Sequence, residues 1–228
     1  MGLAVALAFV SIVCNNRQKM KFIIGIDEVG RGALAGPVVV AAVMLPKKYY
    51  PRPTKNLKLP PLRDSKKLTP RGREAWAAYL KSDPRVKYGL ARVYPKKIDR
   101  LNISRAANLA ATNAIIRLLR QNNRETAAIN VFLDGGLYVL EEKISAGHLK
   151  FNKISVKTVI KGDEKYVSVK LASIIAKVHR DNYLTKLKNR YSNFSFDVHK
   201  GYGTKNHIEE IKKFGATDVH RKNFIKNC

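Results

Sequence analysis

Three short apolar runs in this chain each lead into acid, and that repetition restricts the possible folds more than any other feature. IIGI leads into Asp27 and Glu28, NVFL into Asp134, and KTVIKG into Asp163. Runs of this length, rich in Ile and Val, read as strands. From Phe22 the chain reads FIIGIDEVGRG and then GPVVVAAVML, which looks like a hairpin of core strands interrupted by glycines. Further strands are expected at 86–93, 128–133 and 155–160. Helices fall between them. Thr69 and Pro70 supply an N-cap and a first-turn proline for one that reaches about Ser82. Apolar groups at helical spacing, among them Leu109, Ile115, Ile116, Leu118 and Leu119, mark another at 104–121. A short helix is expected at 138–147 and a long one at 167–189. Strands alternating with helices indicate an α/β layer architecture. In open sheets of that kind, groups at strand ends share one crevice, so acids far apart in sequence can meet.

Four carboxylates in one crevice repel each other and resist full ionisation. A bound cation removes that cost. Hard oxygen ligands without neighbouring His or Cys favour Mg²⁺ or Mn²⁺ over zinc. Two such ions, about 3.5–4 Å apart, can clamp a phosphodiester between an activated water and the leaving oxygen. Taken singly, each acid reads as a turn residue or helix cap; the joint pattern is what points to a site.

The charge balance points to the same partner. Against 17 Asp and Glu stand 44 Lys and Arg, a formal net charge of +27, far more than solubility requires. A nucleic acid fits this excess, although charge alone names no site. The segment 46–61 holds five of the nine prolines and reads as a surface loop, and the basic stretch from Tyr191 onward reads as a small C-terminal cap. Cys14 and Cys228 are the only cysteines, at opposite ends, so neither a disulfide framework nor a zinc site is expected. The apolar run from Ala4 to Cys14 is about half of the roughly 20 residues that cross a bilayer. It also lacks a basic segment before it, which argues against a signal peptide. Residues 1–20 are read as an extension upstream of the fold, of the kind an early start codon would add, and residues 21–228 as the catalytic domain with its cap.

The motifs GIDEVGRG (25–32), LAGPVVVAAV, DSKKL (64–68), LDG (133–135), KGD (161–163), ASIIAKVHRD (172–181) and HKGYGT (199–204) resemble, in order, those of the ribonuclease HII family. The likeness spans residues 22–224. It implies a ribonuclease H-like fold, with a central mixed five-stranded sheet flanked by helices. It implies an endonuclease that hydrolyses the RNA strand of RNA/DNA hybrids and cuts 5′ of single ribonucleotides in duplex DNA, leaving 3′-OH and 5′-phosphate. By resemblance Asp27 and Asp134 bridge two metal ions, and Glu28 and Asp163 complete the coordination. Gly30, Arg31 and Gly32 would read the ribose 2′-OH, the group that separates RNA from DNA. Tyr202 would stack on the deoxyribose that follows, and Ser65, Lys66 and Lys67 would hold backbone phosphates.

Asp181 could substitute for Asp163, but its place far along a helix favours a structural pair. Lys177, His220 and Arg221 fit the family pattern without an assignable role. Lys170 and Leu171 replace small residues, Asn223 stands where serine is common, and the loop at 46–61 is long. None of these touches the acids. The type 3 ribonucleases H are the nearest rival; a separate N-terminal domain and a glutamate as fourth acid set them apart. The expectation is a cytoplasmic, monomeric enzyme without a membrane segment or sliding-clamp peptide. A catalytically silent hybrid-binding protein is the alternative.

Overall fold

In the computed structural model, which describes residues 22–53, 59–121, 129–145 and 154–226, the unbroken apolar run VVVAAVMLP forms β2 (Val38–Pro46). Apolar groups cover this strand on both faces. Val38, Val40, Ala42 and Met44 pack into one core cluster, and Ala41, Val43 and Leu45 into another. A strand buried on both sides has no polar face, hence the lack of alternation in its sequence.

Around it stand β1 (Phe22–Val29), β3 (Lys87–Val93), β4 (Ile129–Asp134) and β5 (Ile154–Val159), in the order β3-β2-β1-β4-β5. The β1/β2 and β2/β3 pairs are antiparallel, and the β1/β4 and β4/β5 pairs are parallel. This is the mixed five-stranded sheet that the family resemblance implied. Helix α1 (Pro70–Ser82) starts at the Thr69 cap, whose hydroxyl accepts from the Gly72 amide. Helix α2 (Pro95–Leu101) was not foreseen: seven residues, opened by Pro95, are too short to display a periodicity. Asn102, in a left-handed conformation, ends it and caps α3 (Ile103–Arg120) by accepting from the Arg105 amide. Helix α3 covers one face of the sheet with Ala106, Ala107, Ala110, Ala111, Ala114, Ile115 and Leu118, all without exposed surface.

The short helices α4 (Glu141–Ser145) and α5 (Gly162–Lys165) precede and follow β5. Helix α6 (Val167–Leu187) covers the opposite face together with α1. Its approach to β1 is very close: a Cβ on Gly25 would lie 2.1 Å from the Ser168 carbonyl carbon and 2.2 Å from the Val169 amide nitrogen. Only glycine permits that contact. Among the described residues no helix is long and apolar enough to cross a membrane.

Beyond α6, the helices α7 (Phe196–His199) and α8 (Lys205–Phe214) form the expected small cap around Ala35, Leu184, Phe194, Phe196, Ile211 and Val219. Isolated bridges Ala33↔Tyr202 and Ala35↔His220 fasten it to the segment after β1. The N-terminal extension with Cys14, residues 54–58 of the proline-rich loop, Ala128, the end of the helix expected at 138–147, and Cys228 lie outside the described residues.

Candidate active site

Parallel pairing of β1 with β4 matches Ile26 with Leu133, so the next residues on the two strands are Asp27 and Asp134. Adjacent strands run about 4.8 Å apart, which brings these two acids together at one end of the sheet. Glu28 follows Asp27 on β1. Asp134 is itself matched with Val159, the last residue of β5. From there the chain turns through Lys161, which is left-handed, into α5 with Asp163 in its first turn. The fourth acid therefore lies one turn past its strand. The Gly162 amide donates to Asp134 Oδ1 at 2.6 Å and ties this turn to β4.

Burial and mutual repulsion govern the charge state of the cluster. Asp27, 6% exposed, is held well above the usual carboxylate range, first by burial and then by Glu28 and Asp134. Glu28 is raised by burial against the opposing effect of Arg31, whose Nη1 lies 3.2 Å from Glu28 Oε1. Burial, then Asp134 and Asp64, raises Asp163. Asp27 and Glu28 thus each feel the charge of Asp134, and Asp163 feels it from the other side of β4's end.

The donor set is oxygen only, and Glu28 Oε2 is buried without a hydrogen-bond partner among the described residues. An orphaned buried carboxylate oxygen close to Asp27 and Asp134 suits a hard cation. Three other oxygens of these acids, Asp27 Oδ1, Glu28 Oε1 and Asp134 Oδ1, accept from protein donors. Asp27 Oδ1 accepts from the Glu28 amide at 2.8 Å, and a hydrogen bond from Ser173 also reaches Asp27. In this arrangement no three His, Cys, Asp or Glu side chains among the described residues are grouped tightly enough to enclose an ion. The fit to metal rests on donor chemistry and shared burial, without a preformed cage.

The other expected site residues divide. Gly30, Arg31 and Gly32 follow β1 directly, next to Glu28, with Gly32 exposed. Lys66 and Lys67 are exposed on a 3-10 turn, Ser65–Lys67, whose preceding Asp64 accepts from the Lys66 amide. Ser65 differs from them: it is buried, and its hydroxyl lies 2.7 Å from that of Ser173. Tyr202 is half-buried, with the Lys177 ammonium 5.5 Å and the Arg180 guanidinium 5.1 Å from its ring centre. Asp181 is held by Lys177 at 2.9 Å and Arg73 at 3.9 Å, the structural pairing expected of it.

Sequence reasoning gave no role to three residues. Ser173 joins Asp27 to Ser65, yet an isolated serine in an apolar helix carries no signal. Arg180 and Arg221 are both fully buried, where a positively charged chain suggests surface. Burial and the neighbouring Arg180 push the Arg221 guanidinium down to about 9, so it remains charged at neutral pH.

The family model described as Ribonuclease HII matches residues 24–227. The chain belongs to the ribonuclease HII family. Ribonuclease HII of Caldicellulosiruptor bescii is 40% identical over 207 residues, covering 91% of this chain and 88% of the relative. That of Chlamydia caviae is 41% identical over 208 residues, covering 91% and 85%. Among solved structures, ribonuclease H2 of Pyrococcus horikoshii OT3 is similar with a TM-score of 0.62 at 28% identity, covering 90% of this chain and 95% of that one. The ribonuclease HII of Archaeoglobus fulgidus, solved in complex with PCNA, gives 0.61 at 25%, covering 89% and 94%. Ribonucleases HII are type 2 ribonucleases H, metal-dependent endoribonucleases, and the mixed sheet with flanking helices is the ribonuclease H-like fold expected from the motifs.

Proposed function

We propose that this ribonuclease HII hydrolyses the RNA strand of RNA/DNA hybrids and cuts on the 5′ side of single ribonucleotides in duplex DNA, leaving 3′-OH and 5′-phosphate. What supports this reading is the coupling of Asp27, Glu28 and Asp163 to Asp134 at one end of the sheet, in a chain with net charge +27. Residues 21–228 are taken as the catalytic unit and residues 1–20 as an extension.

Asp27, Glu28, Asp134 and Asp163 would hold two Mg²⁺ or Mn²⁺ ions. When bound, these supply charge stabilisation for the phosphodiester and an activated water. The protein's own groups do the rest. Ser173 and the Glu28 amide orient the Asp27 carboxylate, and the Gly162 amide orients that of Asp134. Arg31 spans the acids and the reading loop: one Nη contacts Glu28, and the other lies 3.3 Å from the Ser104 hydroxyl on α3. Gly30, Arg31 and Gly32 read the 2′-OH, which can donate and accept. Tyr202 packs on the adjoining deoxyribose, where a second 2′-OH would clash. Lys66 and Lys67 serve as point charges for backbone phosphates, and Ser65 supports their turn through Ser173.

The test is incubation of the full chain with a duplex containing one ribonucleotide, with and without Mg²⁺ or Mn²⁺. Expected are metal-dependent nicking 5′ of the ribonucleotide and no cutting of the all-DNA duplex. Asp134→Asn should abolish nicking and leave binding largely intact. Metal-dependent cutting retained by Asp134→Asn would refute the assignment of the acids. Binding without cutting by the unaltered protein would restore the alternative of a silent hybrid-binding protein.

A further inference from the structure

Arg180 and Arg221 have no exposed surface, and neither is ion-paired among the described residues. A guanidinium in the interior is expensive unless its donors are satisfied. Here backbone carbonyls do so. Arg180 donates to Pro37 O at 3.1 Å, Lys200 O at 2.8 Å and Ala35 O at 3.0 Å. Arg221 donates to Gly36 O at 3.0 Å, Arg31 O at 2.8 Å and Gly30 O at 2.6 Å. Apart from Lys200, every acceptor belongs to residues 30–37, the segment between β1 and β2.

The contacts of Arg221 fix the direction of two peptide groups. In a trans peptide the N–H points opposite to the C=O, and the described chain contains no cis bond. With the carbonyls of Gly30 and Arg31 turned inward to Arg221, the amides of Arg31 and Gly32 point away from the core. Gly32 is exposed and Arg31 half-exposed, and neither amide donates to a protein acceptor among the described residues. Gly30 itself has a φ of +89°, and a Cβ there would lie 2.2 Å from Arg180 Nε. The loop therefore rests directly on the two guanidiniums.

We propose that Arg221 is a positioning residue for ribose recognition: by gripping the Gly30 and Arg31 carbonyls from inside, it sets the Arg31 and Gly32 amides outward as paired donors to a 2′-hydroxyl. The inference rests on the proposed reading of ribonucleotides by this loop and adds what holds the loop in shape. It calls for arginine specifically, because a planar fork reaches three fixed acceptors at once and an ammonium does not.

The test compares the unaltered chain with Arg221→Lys by binding in EDTA, using a duplex with one ribonucleotide and the same duplex in all-DNA form. The unaltered chain should prefer the ribonucleotide. Arg221→Lys should lose that preference by at least tenfold, with its all-DNA affinity within about twofold. A merely structural role would weaken both affinities in parallel, and that result, an unchanged preference in the folded variant, or no preference in the unaltered chain overturns the proposal. If circular dichroism shows that the variant does not fold, amide hydrogen exchange of the unaltered chain decides. The Arg31 and Gly32 amides should be protected by the ribonucleotide duplex and not by the all-DNA one; equal exchange with both overturns the proposal. The metal-dependent nicking assay reads the proposed function separately, so nicking without amide protection refutes this inference alone.

Discussion

Lowering the pH from 7 to 5 should destabilise the C-terminal cap through two buried histidines. His207 and His220 have almost no exposed surface, and their Nε2 atoms lie 3.1 Å apart. One assignment of protons satisfies every contact. The Thr217 amide donates to His220 Nδ1, so the His220 proton sits on Nε2 and is given to His207 Nε2; the His207 proton sits on Nδ1 and goes to the Tyr202 carbonyl at 2.9 Å. A further proton on either ring sets two donors against each other. Burial accordingly holds both rings down to about 4, from 6.5. A histidine lowered on folding contributes stability that is fully present above 6.5 and is lost as the pH falls toward its folded value. Between pH 7 and pH 5 one such ring costs about 2 kcal/mol, and two independent rings about 4 kcal/mol. The raised acids Asp27, Glu28 and Asp163 act in the opposite sense, since they take up protons on folding. Comparison with a variant removes their shared contribution. Urea denaturation of the unaltered chain and of His207→Asn at both pH values should show the former losing about 2 kcal/mol more. Equal losses would refute the neutral relay.

Three further outcomes follow from the same geometry. Asp27→Asn should end cleavage yet raise stability at neutral pH in urea titrations, because it removes a buried carboxylate crowded by Glu28 and Asp134; a destabilised variant contradicts the account of crowding. Gly25→Ala drives a methyl group into the α6 backbone and should cost about 3 kcal/mol or more, read as a fall in melting temperature or loss of soluble protein. Lys66→Ala should weaken binding to all duplexes alike and reduce the slope of log affinity against log salt by about 1; an unchanged slope removes Lys66 from phosphate contact.

The acids were legible because one rule, apolar strand followed by carboxylate, placed Asp27, Glu28 and Asp134 where parallel pairing joins them. Asp163 was legible as a residue but not as a position, since the left-handed turn at Lys161 shifts it into α5. The cap at Thr69 announced α1 and the apolar spacing of Leu109, Ile115 and Leu118 announced α3, whereas α2 was too short to display either. The two buried arginines had no local signature. Apart from Lys200, their partners lie 143 and more positions away, and only the folded cap brings those carbonyls within reach. For Ser65 the surrounding charge suggested an exposed phosphate contact, but its hydroxyl is spent on Ser173.

One helix sets the relation between cutting and reading. At its start, α6 lies on the bare backbone of Gly25; two turns in, Ser173 meets Asp27; two turns further, Arg180 supports Gly30 and the Tyr202 ring. A helix rises 1.5 Å per residue, so Ser173 and Arg180 are separated by roughly 10 Å of rigid spacer. The acids are fixed to that spacer through the sheet, and the reading loop is fixed to it through buried guanidiniums. A shift of α6 would move both together, whereas loss of Arg221 would free the loop and leave the acids in place. Recognition and metal-dependent hydrolysis should therefore fail separately at Arg221 and jointly at Gly25.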